Sequence, residues 1–228
     1  MKISLPLILV NFKAYDNALG EKAETLAKTC EKASAEFGCS IAVAVQPGDI
    51  YRVSKAVSIP VFSEHIDAVE AGAHTGYVLA KNVKENGAVG TLLNHSEHRI
   101  KIDDLEDSVD IARKEGLLTV VCASNDEIAQ AAASFDPDFI AIEPPELIGT
   151  NISVSSARPE LVTSSIQRVN SVSQIPILCG AGIRTGDDVK KAVELGVKGI
   201  LVASAVTLSK DPYSVLESFC KAIKSQHQ

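Results

Sequence analysis

The residues with chemistry to offer stand where apolar runs stop. The run 7-LILVNFK-13 ends on Asn11 and Lys13, which share one face of a strand with Leu9. If that face points inward, an ammonium sits at the mouth of whatever the strand builds. The run 88-AVGTLLN-94 stops just before His95, and Ser96 and Glu97 follow. A short helix starting there would put its positive end against His95 and disfavour imidazolium. Glu97 could bind Lys13 or a neighbouring chain, and the more distant His98 reads as a capping or surface histidine. The run 138-DFIAIE-143 ends on Glu143, and Pro144 and Pro145 come next. A residue before proline is driven to extended backbone, so Glu143 is carried as a stiff continuation of its strand. Gly149, Thr150 and Asn151 then give the chain a hinge. Glu146 lies on the segment between and reads as an exposed charge.

Two Gly/Ala/Ser-rich turns complete the set, 178-LCGAGIRTGDD-188 and 201-LVASAV-206. Small residues let backbone amides approach a ligand closely, and a following helical turn favours an anion. A carboxylate base, an imidazole, an ammonium and an anion cradle suit proton abstraction next to a carbonyl, with an enediolate to stabilise. A closing segment would dry the site and keep an enediol phosphate from expelling its phosphate.

Such a set needs a frame that brings many strand ends together. Eight β-type runs recur, at 7–13, 41–46, 60–64, 88–94, 118–123, 138–143, 175–180 and 199–204, with helical patterns between them. In 17–37, Ala23, Leu26, Ala27 and Cys30 fall at steps of three and four. In 103–116, Leu105, Val109 and Ala112 do the same, with Asp103 as cap and Gly116 as stop. Eight βα units imply a single-domain α/β (β/α)₈ barrel over residues 1–228, whose strand C-termini build the site. The rival is a doubly wound open sheet, but no Gly-x-Gly-x-x-Gly follows the first strand. The helix after 60–64 is displaced by 65-HIDAVEAGAHTGY-77, an excursion with its own purpose.

Composition fits this frame. Apolar residues make up 46% of the 228 and aromatics only 4%, so Ala, Val, Ile and Leu must build the core. A net charge of −7 is the wrong sign for nucleic acid. No run is long enough to span a bilayer, and no export signal is recognised. The five cysteines fit neither a zinc site nor a Cys-x-x-Cys pair, and they read as reduced, in a cytoplasmic protein. No metal or cofactor is called for.

In this order, Asn11-Phe12-Lys13, Asn94-His95-Ser96-Glu97, Ile142-Glu143-Pro144-Pro145-Glu146-Leu147-Ile148-Gly149-Thr150, Cys179-Gly180-Ala181-Gly182-Ile183 and Val202-Ala203-Ser204 resemble the motifs of the triosephosphate isomerase family, in its short archaeal-type form. The resemblance covers the whole chain. It implies a TIM barrel that interconverts dihydroxyacetone phosphate and D-glyceraldehyde 3-phosphate in glycolysis and gluconeogenesis, without cofactor. It implies that Glu143 moves the proton, that His95 polarises the carbonyl and that Asn11 and Lys13 contact substrate. It places the phosphate near Ile148, Gly182, Ala203 and Ser204. The loop of His74, Thr75 and Gly76 resembles the family's oligomer loop, which implies a homodimer or homotetramer. Asn151, 152-ISVSS-156, Ser63, Glu64 and His98 depart from the family pattern.

Two other readings compete. One is a different phosphate-binding barrel isomerase or lyase, but no matching acid ends the first strand. The other is a silent phosphosugar-binding barrel, against which Asn11, Lys13, His95 and Glu143 stand together.

Overall fold

The computed structural model describes residues 3–147 and 153–225. Eight parallel strands close into a barrel in chain order: β1 (Leu7–Asn11), β2 (Ser40–Val45), β3 (Val61–Ser63), β4 (Gly90–Leu93), β5 (Leu118–Ala123), β6 (Phe139–Ile142), β7 (Ile177–Cys179) and β8 (Gly199–Val202). Strand β1 pairs with β8 in the register Leu7 to Gly199 and Leu9 to Leu201, which shuts the sheet on itself. The expected open-sheet rival is excluded.

The helices are α1 (Glu21–Phe37), α2 (Ile50–Ala56), α3 (Ala80–Glu85), α4 (Ile102–Lys114), α5 (Asp126–Ala133), α6 (Val154–Ala157), α7 (Pro159–Asn170), α8 (Gly186–Glu194), α9 (Ser204–Thr207) and α10 (Pro212–Lys224). Strand alternation sorts the core into two shells. Leu7, Leu9, Ala42, Ala44, Phe62, Leu92, Val120, Leu178 and Leu201 fill the barrel interior. Ile8, Val10, Val43, Val45 and Ile140 face outward onto the helices, where they meet Ala23, Ala27, Val109 and Phe219. The inward parity of Leu7 and Leu9 carries on to Asn11, as the alternation requires.

Three expectations are corrected. Asp103 does not cap α4: the helix begins at Ile102, Lys101 is its N-cap without a side-chain bond, and Asp103 lies in the first turn. There a carboxylate still suits the helix dipole. No helix follows His95. Residues 96–98 form a turn, closed by the His98 amide donating to the His95 carbonyl, and α4 starts only at Ile102. Finally, Cys39 and Cys220 are joined by a disulfide. Barrel closure packs α10 against α1, so two residues 181 positions apart become neighbours. Spacing along the chain carries no trace of that. Cys30, Cys122 and Cys179 are buried free thiols, as small core hydrophobes should be.

The excursion between β3 and α3 is real. Asp67 anchors it: its amide donates to the Val78 carbonyl at 2.9 Å, and its side chain accepts the Val78 amide at 2.6 Å. Beyond that anchor, residues 70–77 stand exposed.

Candidate active site

The C-terminal ends of β1, β4, β6, β7 and β8 surround one cavity. Its walls include Asn11, Lys13, His95, Glu143, Gly182, Ala203 and Ser204. Every site residue expected from the sequence and inside the described range therefore converges there. Ile148 and the hinge Gly149-Thr150-Asn151 lie outside the described residues.

Glu143 is held as the sequence requires. Its amide donates to the Ala123 carbonyl at 2.8 Å, which extends the β6 ladder one residue past the strand. The residue is 3% exposed, and its Oε2 is buried without a hydrogen-bond partner among the described residues. An acceptor kept dry and unpaired costs free energy, and reaction sites are where such an atom finds use. The floor beneath it is Gly180. A Cβ on that residue would stand 2.5 Å from Glu143 Cγ, so only glycine leaves the carboxylate its seat.

His95 faces Glu143 across the cavity, with Nε2 3.5 Å from Oε1. The Glu97 amide donates to His95 Nδ1 at 3.2 Å. A ring nitrogen that accepts cannot carry a proton, so the neutral ring holds its hydrogen on Nε2, pointing at the cavity. That single amide takes the place of the expected helix end. Electrostatics pull the other way. Burial lowers the His95 pKa, but the hydrogen bond and charge of Glu143 outweigh it, and the net direction is upward. The expected helix-dipole depression is absent because the helix is absent.

Lys13 reaches the same space. Its backbone is left-handed, with φ of 52°, a strained state for a residue with a Cβ. The Asn11 side chain supports it by accepting the Lys13 amide at 3.1 Å. The ammonium pairs with Glu97 Oε1 at 2.7 Å, one of the two partnerships the sequence left open for that carboxylate. Asn94 also has positive φ, at 57°. Its side chain donates to the Cys122 carbonyl at 3.0 Å and accepts the Ile100 amide at 3.3 Å, which ties the end of β4 to β5.

The wall of the cavity at β7 and β8 is rich in small residues. Gly182 adopts φ of 70° between β7 and α8, and Ala203 and Ser204 open α9 directly after β8. A capping box between Thr185 and Asp188 fixes the start of α8.

Sequence reasoning missed several neighbours. Cys122 lies against Glu143; burial first, then Glu143, raises its thiol pKa well above the ordinary value. Glu64 accepts Gln46 Nε2 at 2.6 Å, and its Oε1 is buried without a partner among the described residues. Burial pushes the Glu64 pKa up to about 7. Its departure from the family pattern was the available signal. Ser153 and Ser155 meet Asp188 at the base of the segment after residue 152. Glu146, by contrast, is exposed and pairs with Arg158 at 3.2 Å.

A closed parallel barrel with a carboxylate, an imidazole and an amine gathered at its C-terminal mouth is the layout of a (β/α)₈ enzyme. Comparison with known proteins narrows the class. The family model described as triosephosphate isomerase matches residues 6–225. The triosephosphate isomerase of Methanothermus fervidus is 49% identical over 213 residues, covering 93% of this chain and 96% of that one. That of Saccharolobus solfataricus is 45% identical over 214 residues, covering 94% of each. Among solved structures, triosephosphate isomerase from Bartonella henselae superposes with a TM-score of 0.77 at 18% identity, over 96% of this chain and 99% of that one, a likeness of fold. The chain belongs to the triosephosphate isomerase family.

Proposed function

We propose that the chain interconverts dihydroxyacetone phosphate and D-glyceraldehyde 3-phosphate, in glycolysis and gluconeogenesis, and that Glu143, His95 and Lys13 do the chemistry. The observation that carries the assignment is the pairing of an unpartnered Glu143 Oε2 with a His95 Nε2 aimed at the same cavity. Glu143 takes a proton from the carbon next to the carbonyl, and the electron pair moves onto the carbonyl oxygen. The ammonium of Lys13 and the Nε2–H of His95 face that developing charge. Glu143 then returns the proton to the neighbouring carbon, while the hydroxyl proton crosses between the two oxygens. This family is itself the reference case for a glutamate base paired with a neutral histidine.

Asn11 holds the Lys13 backbone and lines the substrate space. Gly182, Ala203 and Ser204 present backbone amides to the phosphate, and the resemblance adds Ile148. Running the reaction in deuterium oxide tests the chemistry. Product carrying solvent deuterium on carbon supports proton abstraction; turnover without any label contradicts it.

We further propose self-association, as a homodimer or homotetramer, through the loop of His74, Thr75 and Gly76. The exposure of residues 70–77 supports this. So does a second cavity beside the first, lined by Lys13, Gln46, Glu64, His65, Glu97 and His98, which offers a seat for a loop from another copy. A light-scattering mass at one chain would overturn it. Nucleic acid and membrane are not partners in this reading, and no helix among the described residues is long and apolar enough to cross a membrane. We place the protein in the cytoplasm. The Cys39–Cys220 disulfide stands against that placement, since such bonds are rare there. Thiol counting on protein taken from cells decides whether the bond exists in place.

A further inference from the structure

Two cationic side chains line the cavity of His95 and Glu143. They are Lys13 and Arg184. Lys13 is matched by Glu97 at 2.7 Å, and Glu143 adds another carboxylate. Taken together, Lys13, Glu97 and Glu143 leave the mouth of the cavity with an excess of one negative charge. A phosphate monoester arrives with close to two negative charges at neutral pH. Backbone amides can hold it once seated, but they do not offset that repulsion at a distance. Arg184 is the remaining charge of the right sign.

Its placement suits the task. Arg184 follows Gly182 by two residues, between β7 and α8, and lines the cavity together with Ala203 and Ser204. It is exposed, and it makes no ion pair among the described residues. Two acids sit close in sequence, Asp187 and Asp188, yet neither pairs with its guanidinium. Asp188 is already engaged. Its Oδ1 accepts the Ser153 hydroxyl at 2.7 Å. Its Oδ2 accepts the Thr185 hydroxyl at 2.8 Å and the amides of Thr185 and Arg184 at 3.0 and 3.2 Å. Those bonds also pin the backbone of Arg184, so the guanidinium is carried from a fixed base at the anion end of the cavity.

We infer that Arg184 is a phosphate-directed binding residue, whose guanidinium supplies the positive charge that draws the anionic substrate to the cradle of Gly182, Ala203 and Ser204. It takes no part in proton transfer. The inference rests on reading the cavity as a triose phosphate site.

The test is kinetics of Arg184→Gln and Arg184→Lys across ionic strength, with inorganic phosphate binding measured directly by calorimetry. Arg184→Gln is expected to lower kcat/KM about fivefold or more at low salt while kcat stays within about twofold, because steering acts on capture. The deficit should shrink as salt rises, since exposed charges are screened beyond about 8–10 Å near physiological ionic strength. Phosphate affinity should fall in parallel, and Arg184→Lys should keep most of both. Parent-like kcat/KM and phosphate affinity in Arg184→Gln at low salt would overturn the inference, as would a loss confined to kcat and indifferent to salt. Failure of the parent enzyme to turn over triose phosphates is a different result, which strikes the reading of the site; the phosphate arm still decides the role of Arg184.

Discussion

His95 Nε2 and Glu143 Oε1 stand 3.5 Å apart across the cavity, with both residues more than nine-tenths buried. The carboxylate acts on the imidazole. Burial alone would lower the pKa of His95, and the Glu143 carboxylate reverses that. Replacing Glu143 by Gln removes the charge and keeps the shape, so the His95 pKa should fall. Proton NMR of the imidazole C–H signals reads this directly. An unchanged or higher value in the variant contradicts the coupling.

Gly180 should prove as demanding as the reacting residues, although it offers no chemistry. A methyl group there would stand 2.5 Å from Glu143 Cγ, and the carboxylate must move to admit it. Displacement of a reacting group by about 1 Å can cost roughly 100-fold in rate. We expect Gly180→Ala to lower kcat by about that factor, with KM nearly unchanged and the fold intact by circular dichroism. Parent-like kcat would show that the seat is looser than the geometry says.

Glu64 makes stability depend on pH. Its pKa is pushed up to about 7 by burial, against an ordinary value of 4.5. The folded chain therefore holds this proton more tightly than the unfolded chain does. The resulting stabilisation is complete below about 4.5 and is lost as pH rises through about 7. Glu64→Gln removes that slope and preserves the shape beside Gln46. The variant should gain on the order of 1–2 kcal/mol over the parent at pH 8, after allowance for solvent screening, and little at pH 5. Urea midpoints at the two pH values measure it. The same difference at both would contradict the assignment.

The loop of residues 70–77 carries the proposal of self-association. Thr75→Arg should leave the barrel folded, because its position is exposed and makes no part of the core. It should lower the mass seen by light scattering and reduce activity with it. A parent-like mass would remove Thr75 from the contact.

What the sequence made legible was whatever repeats or ends locally. Strand period and strand ends located β1 to β8 to within a residue or two, and the parity of Leu9 and Asn11 put the polar face inward. The two prolines after Glu143 singled that residue out because they act on the residue beside them. What stayed hidden depends on how the strands and helices assemble. Closure brings Cys39 to Cys220 across 181 positions, while the close approach of Gly180 to Glu143 and the meeting of Glu64 with Gln46 arise at the ends of neighbouring strands, β6 with β7 and β2 with β3. The helix expected after His95 failed for a subtler reason. A turn with one well-aimed amide, that of Glu97, satisfies Nδ1 as a helix end would, and the residue types alone do not distinguish the two.

The central claim is that Glu143, and not the neighbouring Glu146, moves the proton. Glu143 is buried at a strand end with a free oxygen in the cavity, while Glu146 is exposed and paired with Arg158. A coupled assay on glyceraldehyde 3-phosphate, run on Glu143→Gln and Glu146→Gln beside the parent, decides between them. The account predicts a kcat lower by about 100- to 10,000-fold for the first and a change of a few-fold at most for the second. Equal losses in the two variants, or the larger loss at Glu146, would contradict it.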